Sequence, residues 1–423
     1  PWYSYVEKWI GVSGQTEGLP QLPDGDFQPP MEMNVVEKDL KAKVESKFSE
    51  RRVTIGRAAH LTKPTAEQMK IGRGQCQSRN LCMRGCAFGA YFSSNGVTLV
   101  AAAQSGNMTL QPDSVVTEIL FDKASNKATG VRVLNAETKA VTEYYAKVLF
   151  ICASALNSTW LMMHSKSDRF PTGFGNDSDE LGRNVMDHHF LVGAQADVDG
   201  YEDRYYAGRR PNGIYIPRFR NLGDAATKKN FTRGYGYQGG ASRTGWQRLV
   251  GEMGFGKELK DEIEQPGNWT MGITAFGEIL PYRDNRVTLN NDVRDIHGLP
   301  TLTMDVTIRE NELNMRKDMQ VAAVEMLEAA GFKNVRGFDR TYAPGLGIHE
   351  MGTARMGRDP KTSVLNAHNQ VQTGPAGKQV NRLYVTDGAA MTSASCVNPS
   401  LTYMALTARA ADHAVNALKR GEL

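Results

Sequence analysis

From residue 108 the hydrophobic and polar positions follow a pattern typical of strands. SVVTEILF at 114–121, GVRVLN at 130–135 and the run at 141–145 are rich in β-branched and aromatic residues and predict strands. KVLFICASA at 147–155 is continuously apolar, which is typical of a strand buried on both faces. A helix is predicted over 157–164, so this region indicates an α/β arrangement.

The pattern changes between residues 188 and 300, where apolar pieces are short and separated by turns. NGIYIPRF at 212–219, MGITAFGEIL at 271–280 and RVTLNN at 286–291 predict an antiparallel sheet. A helix follows and ends at Gly331. Its apolar face holds Met315, Met319, Ala322, Met326, Leu327 and Ala330. A methionine-bearing stripe at this spacing indicates protein core.

Both ends of the chain carry further signals. Residues 1–57 are irregular apart from a helix predicted at 38–48, and 93–103 has helical character. LYVTDGAA at 383–390 predicts a buried strand that runs into a glycine turn. A long helix is predicted over 398–419, with Asn398 as N-cap and Pro399 as first residue. Its predicted core face consists of Leu401, Met404, Ala408, Ala411, Val415 and Leu418.

Composition narrows the class of protein. The chain has 423 residues, 40% of them hydrophobic, which is enough for two or three domain-sized bodies. The net charge of +4 is not gathered into a basic block, so nucleic acid is not an expected partner. No stretch approaches the roughly 20 apolar residues of a membrane-spanning helix, and we expect no transmembrane segment in this chain.

GIHEMGTARMG at 347–357 is a candidate for chemistry. Its glycines permit unusual backbone angles, so His349 is expected in a tight loop, although a structural histidine would look the same. Asn398 starts a helix whose positive dipole end would stabilise negative charge on a reduced flavin. Beside such a ring, a neutral imidazole could take the hydroxyl proton of a substrate.

Three of the five cysteines lie within eleven residues, in CQSRNLCMRGC. Cys76, Cys82 and Cys86 are too crowded and too few for a disulfide framework. Structural zinc prefers four protein ligands and no fourth is nearby, whereas thiolates in a short loop suit an iron–sulfur cluster. Three buried thiols without a metal and an incomplete zinc knuckle remain the alternatives.

Several motifs in a fixed order carry a resemblance. GIHEMGTARMG, YVTDGAA and NPSLTYMALTARAADH closely resemble the C-terminal block of the glucose–methanol–choline (GMC) oxidoreductases. VEKWIGVSG, LPDGDFQPP, LGRNVMDHH and NRVTLNNDVRDIHGLP are similar to its branch of bacterial membrane-associated sugar dehydrogenases, which act on gluconate, fructose, glucose or glucosides. The resemblance covers almost the whole chain.

The resemblance implies an α/β (α+β overall) fold class. It consists of an FAD/NAD(P)-binding, Rossmann-like domain and a substrate domain with an antiparallel sheet flanked by helices. The expected parts are a connector or cap at 1–60, the middle of the flavin domain at 61–187, the substrate domain at 188–345 and the C-terminal part of the flavin domain at 346–423. No GxGxxG unit is found in the expected context, so the first βαβ unit is expected to be missing and the chain alone to bind FAD poorly.

The resemblance also implies roles for individual residues. His349 corresponds to the catalytic base and Asn398 to the partner that orients the substrate hydroxyl. The backbone of Asp387 and Gly388 corresponds to the segment along the flavin pyrophosphate. The remaining implied cofactor contacts are Val116 at the adenine, Ala153 and Ser154 at the nucleotide, and Asn398, Pro399 and Thr402 beneath the flavin ring. ALNSTWLMMHS departs from many relatives by lacking a proline and a glycine, which weakens the assignments of Ala153 and Ser154.

The implied function is an FAD-dependent dehydrogenase that oxidises a CH–OH group of a sugar, glycoside or sugar acid. Cys76, Cys82 and Cys86 correspond to the ligands of a 3Fe-4S cluster that passes electrons to a cytochrome or quinone. A small subunit, a cytochrome c acceptor and a bacterial periplasmic location, with membrane association through partners, are also expected. The alternatives are a sugar oxidase that uses oxygen and a non-catalytic binding subunit without FAD. His188 and His189 are expected to order the start of the substrate region.

Overall fold

The computed structural model describes residues 1–79, 81–202, 204, 213–223, 227–244, 255–265, 267–343, 345–374 and 376–423. The helices are α1 Trp2–Ile10, α2 Val35–Lys47, α3 Ala66–Lys70, α4 Leu99–Gln104, α5 Ala155–His164, α6 Gly256–Ile263, α7 Glu310–Ala329 and α8 Ser400–Lys419. The strands are β1 Thr54–Ile55, β2 Ser114–Asp122, β3 Lys127–Asn135, β4 Val141–Tyr145, β5 Leu149–Ile151, β6 His188–Val198, β7 Ile214–Ile216, β8 Tyr235–Arg243, β9 Trp269–Glu278, β10 Arg286–Arg294, β11 Pro300–Asp305, β12 Lys333–Asp339, β13 Gln370–Thr373 and β14 Lys378–Val385.

A large antiparallel sheet has the strand order β1-β7-β8-β9-β6-β12. Alternation along β9 buries every second side chain, and α7 packs on that face. The predicted methionine stripe of α7 is confirmed, since all six of its residues are fully buried. α2 covers the sheet beside α7 through Val36, Leu40 and Val44. The antiparallel sheet predicted for 188–300 is therefore confirmed for the strands β7 and β9. The predicted strand at 286–291 is not part of it, because β10 pairs only with β11 in a separate two-stranded sheet. Residue 212 of the predicted strand 212–219 lies outside the described residues.

A second sheet has the order β13-β14-β3-β2, with β4 added on β3 and β5 on β14. β14 is parallel to both β3 and β5, whereas β2, β3 and β4 form an antiparallel meander. The α/β class is confirmed by this mixture of parallel strands and helices. The parallel pair matters for function, because β5 and β14 end side by side and their following loops meet.

The strand predicted over 147–155 is only partly correct. β5 is limited to three residues, and Phe150 is 37% exposed instead of buried on both faces. Its ring stacks on Tyr384 of the neighbouring strand at 4.9 Å between centroids. An apolar run shows that burial is favourable, but it does not show which face a neighbouring element covers.

Two predictions about α8 are wrong. Pro399 occupies the N-cap position and Ser400 is the first helical residue, so Asn398 precedes the cap and is free to point away from the helix. Val415 and Leu418 are 49% and 38% exposed. The buried positions are Ala405, Ala410, Ala414 and Ala417. Ala410 and Ala414 pack against Tyr384 of β14, while Leu401, Met404 and Ala408 pack against α1.

The predicted parts at 1–60, 61–187, 188–345 and 346–423 remain predictions, although α2 and β1 both join the large sheet from the first of them. Within the described ranges, no helix is both long enough and apolar enough to cross a membrane.

Candidate active site

His349 lies on a loop that is fixed on its C-terminal side by backbone hydrogen bonds. Met351 and Met186 exchange two such bonds of 2.8 and 2.9 Å, and the Gly352 N–H donates to the Gly388 carbonyl at 3.0 Å. Gly352 has a φ of +82°, and a Cβ there would lie 2.1 Å from the Asn184 carbonyl oxygen. The predicted tight loop therefore exists, and its glycine is required by this close backbone approach.

The structure brings His349 and Asn398 together. Nδ2 of Asn398 lies 3.2 Å from Nε2 of His349, and Gln238 on β8 donates from Nε2 to Oδ1 of Asn398. His349 is buried whereas Asn398 is exposed, so the amide stands at the solvent side of the imidazole. The carboxamides of Gln238 and Asn398 thus hold the Nε2 side of His349 by hydrogen bonding.

The other side of His349 faces a second histidine. Nδ1 of His349 lies 2.8 Å from Nδ1 of His188, the first residue of β6. Nε2 of His188 in turn donates to the Ser395 carbonyl oxygen. Asp187 accepts from the backbone N–H groups of His188 and His349 through Oδ1, at 2.6 and 3.2 Å. The side chain of Asp187 therefore ties β6 to the His349 loop.

Burial sets the protonation of this group. It lowers the pKa of His349 to about 4 and, with the charge of His349, lowers the pKa of His188 to about 3. It raises the pKa of Asp187 to about 7, an effect to which Glu350 adds and which the two backbone N–H groups oppose. At neutral pH both imidazoles are consequently uncharged, and His349 is able to accept a proton.

Aromatic rings form one wall of the site. Phe276 on β9 lies 6.2 Å from the His349 ring and 5.7 Å from Phe190, with which it stacks in parallel. The edge of His188 contacts the same Phe276 ring. These rings exclude water from one side of the imidazole pair, which accounts for the burial that keeps it neutral.

A second group of predicted residues meets at the carboxyl ends of β5 and β14. Ala153 and Ser154 are exposed, and Ser154 has a φ of +76°. Ser158 accepts from the Ala153 N–H at 3.0 Å and donates to Asp387. Oδ1 of Asp387 accepts from the Ala389 N–H at 2.9 Å, which shapes the turn containing Gly388. Exposed backbone at the ends of adjacent parallel strands is the usual place of a nucleotide in such sheets.

The start of α8 lies beside the Asn398 side chain. No side chain among the described residues caps its first turn, so the leading N–H groups of the helix remain available as donors. Pro399 is buried, and Oγ1 of Thr402 hydrogen-bonds to the Tyr3 hydroxyl at 2.7 Å. The Thr402 side chain is therefore hydrogen-bonded to α1. Val116 lies on β2, which β3 separates from β14.

The N–H groups at the uncapped start of α8 and the exposed backbone after β5 are hydrogen-bond donors that suit a flavin nucleotide. The helix start offers N–H groups and a positive dipole end near His349. Ala153 and Ser154 offer exposed backbone beside the buried Asp387–Gly388 turn. The described residues therefore fit a part of the FAD site that the sequence predicts.

The three cysteines of the predicted cluster are partly buried and reduced. Cys82 Sγ lies 3.4 Å from Nε2 of His60, and burial raises the pKa of its thiol. Although burial opposes it, N–H groups of residues 88, 90 and 91 lower the pKa of the Cys86 thiol. In the part of the chain that the structure describes, no three His, Cys, Asp or Glu side chains are gathered to hold a metal ion. The loop supplies the thiolates but does not present a formed cluster site.

The contacts that two residues make in the site were not predicted from the sequence. His188 was expected to order the substrate region, whereas its ring contacts His349 directly. Gln238, which bonds to Asn398, received no role at all. His188 lies in LGRNVMDHH, one of the motifs that resemble the GMC family, so the sequence did mark its surroundings. No pattern in β8 distinguishes Gln238.

Comparison with known proteins gives two matches to one family. The N-terminal and C-terminal family models described as GMC oxidoreductase match residues 17–190 and 281–407. The large subunit of fructose dehydrogenase from Gluconobacter japonicus is 30% identical over 354 residues, which is 83% of this chain and 61% of that protein. A 2-methyl-1,2-propanediol dehydrogenase from Mycolicibacterium austroafricanum is 30% identical over 300 residues, or 68% of this chain and 51% of that protein.

Solved structures agree on the fold. Pyridoxine 4-oxidase from Mesorbium loti superposes with a TM-score of 0.56 at 16% identity, covering 91% of this chain and 70% of that one. A formate oxidase gives a TM-score of 0.55 at 14% identity over 78% of this chain and 64% of that one. The chain spans between half and two thirds of the length of the two dehydrogenases it matches.

Proposed function

The chain belongs to the GMC oxidoreductase family, and from that premise we propose that it is the substrate-oxidising part of an FAD-dependent dehydrogenase acting on a CH–OH group of a sugar, glycoside or sugar acid. The observation that carries this proposal is the neutral His349 imidazole with its Nε2 beside the Asn398 amide. Bound FAD would accept the hydride from the carbinol carbon.

The residues of this chain perform the proton transfer. Nε2 of His349 takes the hydroxyl proton while the carbon–hydrogen bond breaks, so that the CH–OH group becomes a carbonyl. Nδ2 of Asn398 lies 3.2 Å from Nε2 of His349. On substrate binding it would turn its hydrogen bond to the substrate oxygen, so that the lone pair of Nε2 receives the hydroxyl proton. Phe276 and Phe190 keep water away from the base.

Cofactor binding is proposed for the two donor surfaces of the site. The backbone of Ala153, Ser154, Asp387 and Gly388 would lie along the nucleotide, and the segment from Asn398 to Thr402 beneath the ring. The uncapped start of α8 would place its positive end where reduced flavin carries negative charge. Val116 would contact the adenine only through its backbone, since its side chain packs into the core of the second sheet.

A sugar is proposed as the substrate because the relatives include enzymes named for sugars and glycosides. They are a fructose dehydrogenase large subunit, a gluconate 2-dehydrogenase flavoprotein from Pantoea cypripedii at 22% identity, and a C-glycoside 3-oxidase from Arthrobacter globiformis at 30% identity over 157 residues. Steady-state reduction of an artificial dye by hexoses, glycosides and sugar acids, in the flavin-containing protein, tests this. The absence of turnover with every member of the panel would overturn it.

Electron transfer to a cytochrome or quinone, with a small subunit and a cytochrome c in the periplasm, is the finer part of the proposal. It rests on the cysteine loop and the resemblance to sugar dehydrogenases. Among the described residues, Cys76, Cys82 and Cys86 do not form a group that could hold a metal ion, so the cluster is proposed from the resemblance alone. Iron and acid-labile sulfide analysis of anaerobically purified protein tests the cluster, and co-purification of a haem protein tests the partner.

An oxidase is the second candidate, since two of the aligned relatives are named C-glycoside 3-oxidase and one pyranose 2-oxidase. Peroxide formation separates the two candidates. A dehydrogenase reduces the dye with little peroxide in air, whereas an oxidase forms peroxide as fast as the sugar is consumed.

A further inference from the structure

The ring of His188 is buried between the His349 imidazole and the Ser395 backbone. We infer that His188 is a positioning residue that holds His349 as its Nδ1–H tautomer, which leaves the lone pair of Nε2 directed at the substrate. This inference rests on the proposed role of His349 as the base. It gives His188 a role that neither the resemblance nor its position on β6 assigns.

The Ser395 carbonyl oxygen can only accept a hydrogen bond. Nε2 of His188 contacts this oxygen and must therefore carry a proton. In a neutral imidazole the other nitrogen has a lone pair, so Nδ1 of His188 is an acceptor. The nitrogen that faces it at 2.8 Å, Nδ1 of His349, must then be the donor.

The remaining hydrogen bonds agree with this direction. With its proton on Nδ1, His349 has a lone pair on Nε2, and the Asn398 amide nitrogen lies 3.2 Å from it as a donor. Oδ1 of Asn398 is left to accept from Nε2 of Gln238. One directed series of donors and acceptors thus runs from Gln238 through Asn398, His349 and His188 to the backbone.

The opposite assignment breaks the series at two points. If His349 carried its proton on Nε2, two N–H groups would face each other at Asn398 and two lone pairs would face each other between the histidines. A cationic His188 would donate from Nδ1 and impose that assignment, but its burial favours the neutral ring. His349 would then have no lone pair on the side of Asn398, where the substrate is proposed to bind.

The chemical consequence concerns one proton. When Nε2 accepts the hydroxyl proton, His349 becomes an imidazolium that still donates from Nδ1 to the lone pair of His188. The hydrogen bond therefore strengthens as positive charge develops, which stabilises the transition state. No proton has to leave His188, and the hydride departs separately to the flavin.

The tautomer can be observed directly by nitrogen-15 NMR of protein labelled at histidine, because protonated and unprotonated ring nitrogens differ strongly in chemical shift. A His349→Gln variant assigns the signals by their disappearance. We expect a protonated Nδ1 and an unprotonated Nε2 at His349 in the unaltered protein. A protonated Nε2 would overturn the inference without any further variant.

Two substitutions separate positioning from folding. His188→Asn keeps a carboxamide oxygen near the place of Nδ1, and we expect it to retain the Nδ1–H tautomer and most of the turnover. His188→Phe keeps the ring but removes the acceptor, and we expect the Nε2–H tautomer and a fall in kcat of at least about tenfold, with KM little changed. Equal kcat and the same tautomer in the Phe variant would refute the inference.

The same measurements distinguish this inference from the proposed function. An unaltered protein that oxidises no sugar but shows the Nδ1–H tautomer contradicts the function and supports the inference. An active protein whose His349 keeps its tautomer in both variants contradicts the inference and leaves the function intact. Should the Phe variant not fold, His188→Leu replaces it, since leucine has neither a donor nor an acceptor to offer His349.

Discussion

The Asn398 amide nitrogen lies 3.2 Å from Nε2 of His349, although the two residues are 49 positions apart in the chain. Asn398 reaches this position because Pro399 takes the N-cap place at the start of α8, so the asparagine side chain is not used to cap the helix. A neutral donor at this distance orients the imidazole lone pair without stabilising a charge on it. The pKa of His349 therefore stays at the low value that burial produces.

Asn398→Asp should move the pH dependence of turnover. His349 has a pKa lowered to about 4, so the active neutral base is lost only as the pH falls through about 4. A carboxylate in contact with Nε2 stabilises the imidazolium and raises this pKa. We expect the acidic limb of kcat to shift to higher pH by one or more units, and kcat at neutral pH to fall by about tenfold to a thousandfold.

Asn398→Ala is the matched control, because it removes the amide without adding charge. Its kcat should fall, but its acidic limb should stay near that of the unaltered protein. An identical acidic limb in the Asp and Ala variants would show that His349 is not the group titrating in turnover.

Asp187→Asn should change how stability depends on pH. Burial raises the pKa of Asp187 to about 7, whereas an unfolded aspartate has a pKa of about 4. The stabilisation that comes with the protonated carboxyl is complete below pH 4 and is lost as the pH rises through 7. Asparagine does not ionise, so its free energy of unfolding does not include this loss. Between pH 4 and pH 7 the stability of the variant relative to the unaltered protein should therefore rise, by at most about 1.4 kcal/mol per pH unit.

Denaturant unfolding at several pH values measures this difference. Asp168→Asn, the same replacement at an exposed position, serves as the control. A pH-independent difference between Asp187→Asn and the unaltered protein would mean that the Asp187 carboxyl is ionised throughout.

The sequence predicted the elements of this fold better than the contacts between them. Apolar alternation and the methionine stripe were sufficient for β9 and α7, because each buries one continuous face against a single layer. α8 contacts two different partners, and the sheet-facing side consists of alanines that hydrophobicity alone does not single out. A periodic pattern therefore placed the helix correctly but selected the wrong face.

In the candidate site, too, the sequence predicted the local structure but not the contacts between distant residues. Glycines around His349 predicted its tight loop, whereas its proximity to Asn398 followed only from the resemblance to a family. The contact between His349 and His188 depends on the backbone hydrogen bonds between Met186, just before β6, and Met351 in the His349 loop. This is a tertiary contact, which local sequence patterns do not show. Gln238 comes from yet another strand, and no local pattern distinguishes it from an ordinary polar residue on a sheet.

Gly352→Ala should disrupt the His349 loop more than an ordinary glycine replacement. Residue 352 has a φ of +82°, and a Cβ would stand 2.1 Å from the Asn184 backbone oxygen, so the loop must shift. We expect a loss of more than about 2 kcal/mol in the free energy of unfolding and a larger proportional loss of turnover. Gly298→Ala is the control, because its φ of +77° carries the same strain but no atom lies within 4 Å. Equal losses for both variants would show that the contact with Asn184 has no effect.

Met319→Ala should reveal how much of the stability depends on the packing of α7 against the large sheet. Met319 is fully buried among the methionines of that helix and the strands beneath it, so truncation leaves a cavity. We expect a loss of about 2–5 kcal/mol in chemical denaturation. Val321→Ala on the same helix is 56% exposed and should change stability by no more than about 0.5 kcal/mol. A similar loss for both variants would indicate that residue 319 is not packed in the core. Since β6 lies beneath α7 and begins with His188, the Met319 variant should also lower turnover at temperatures where it is still largely folded.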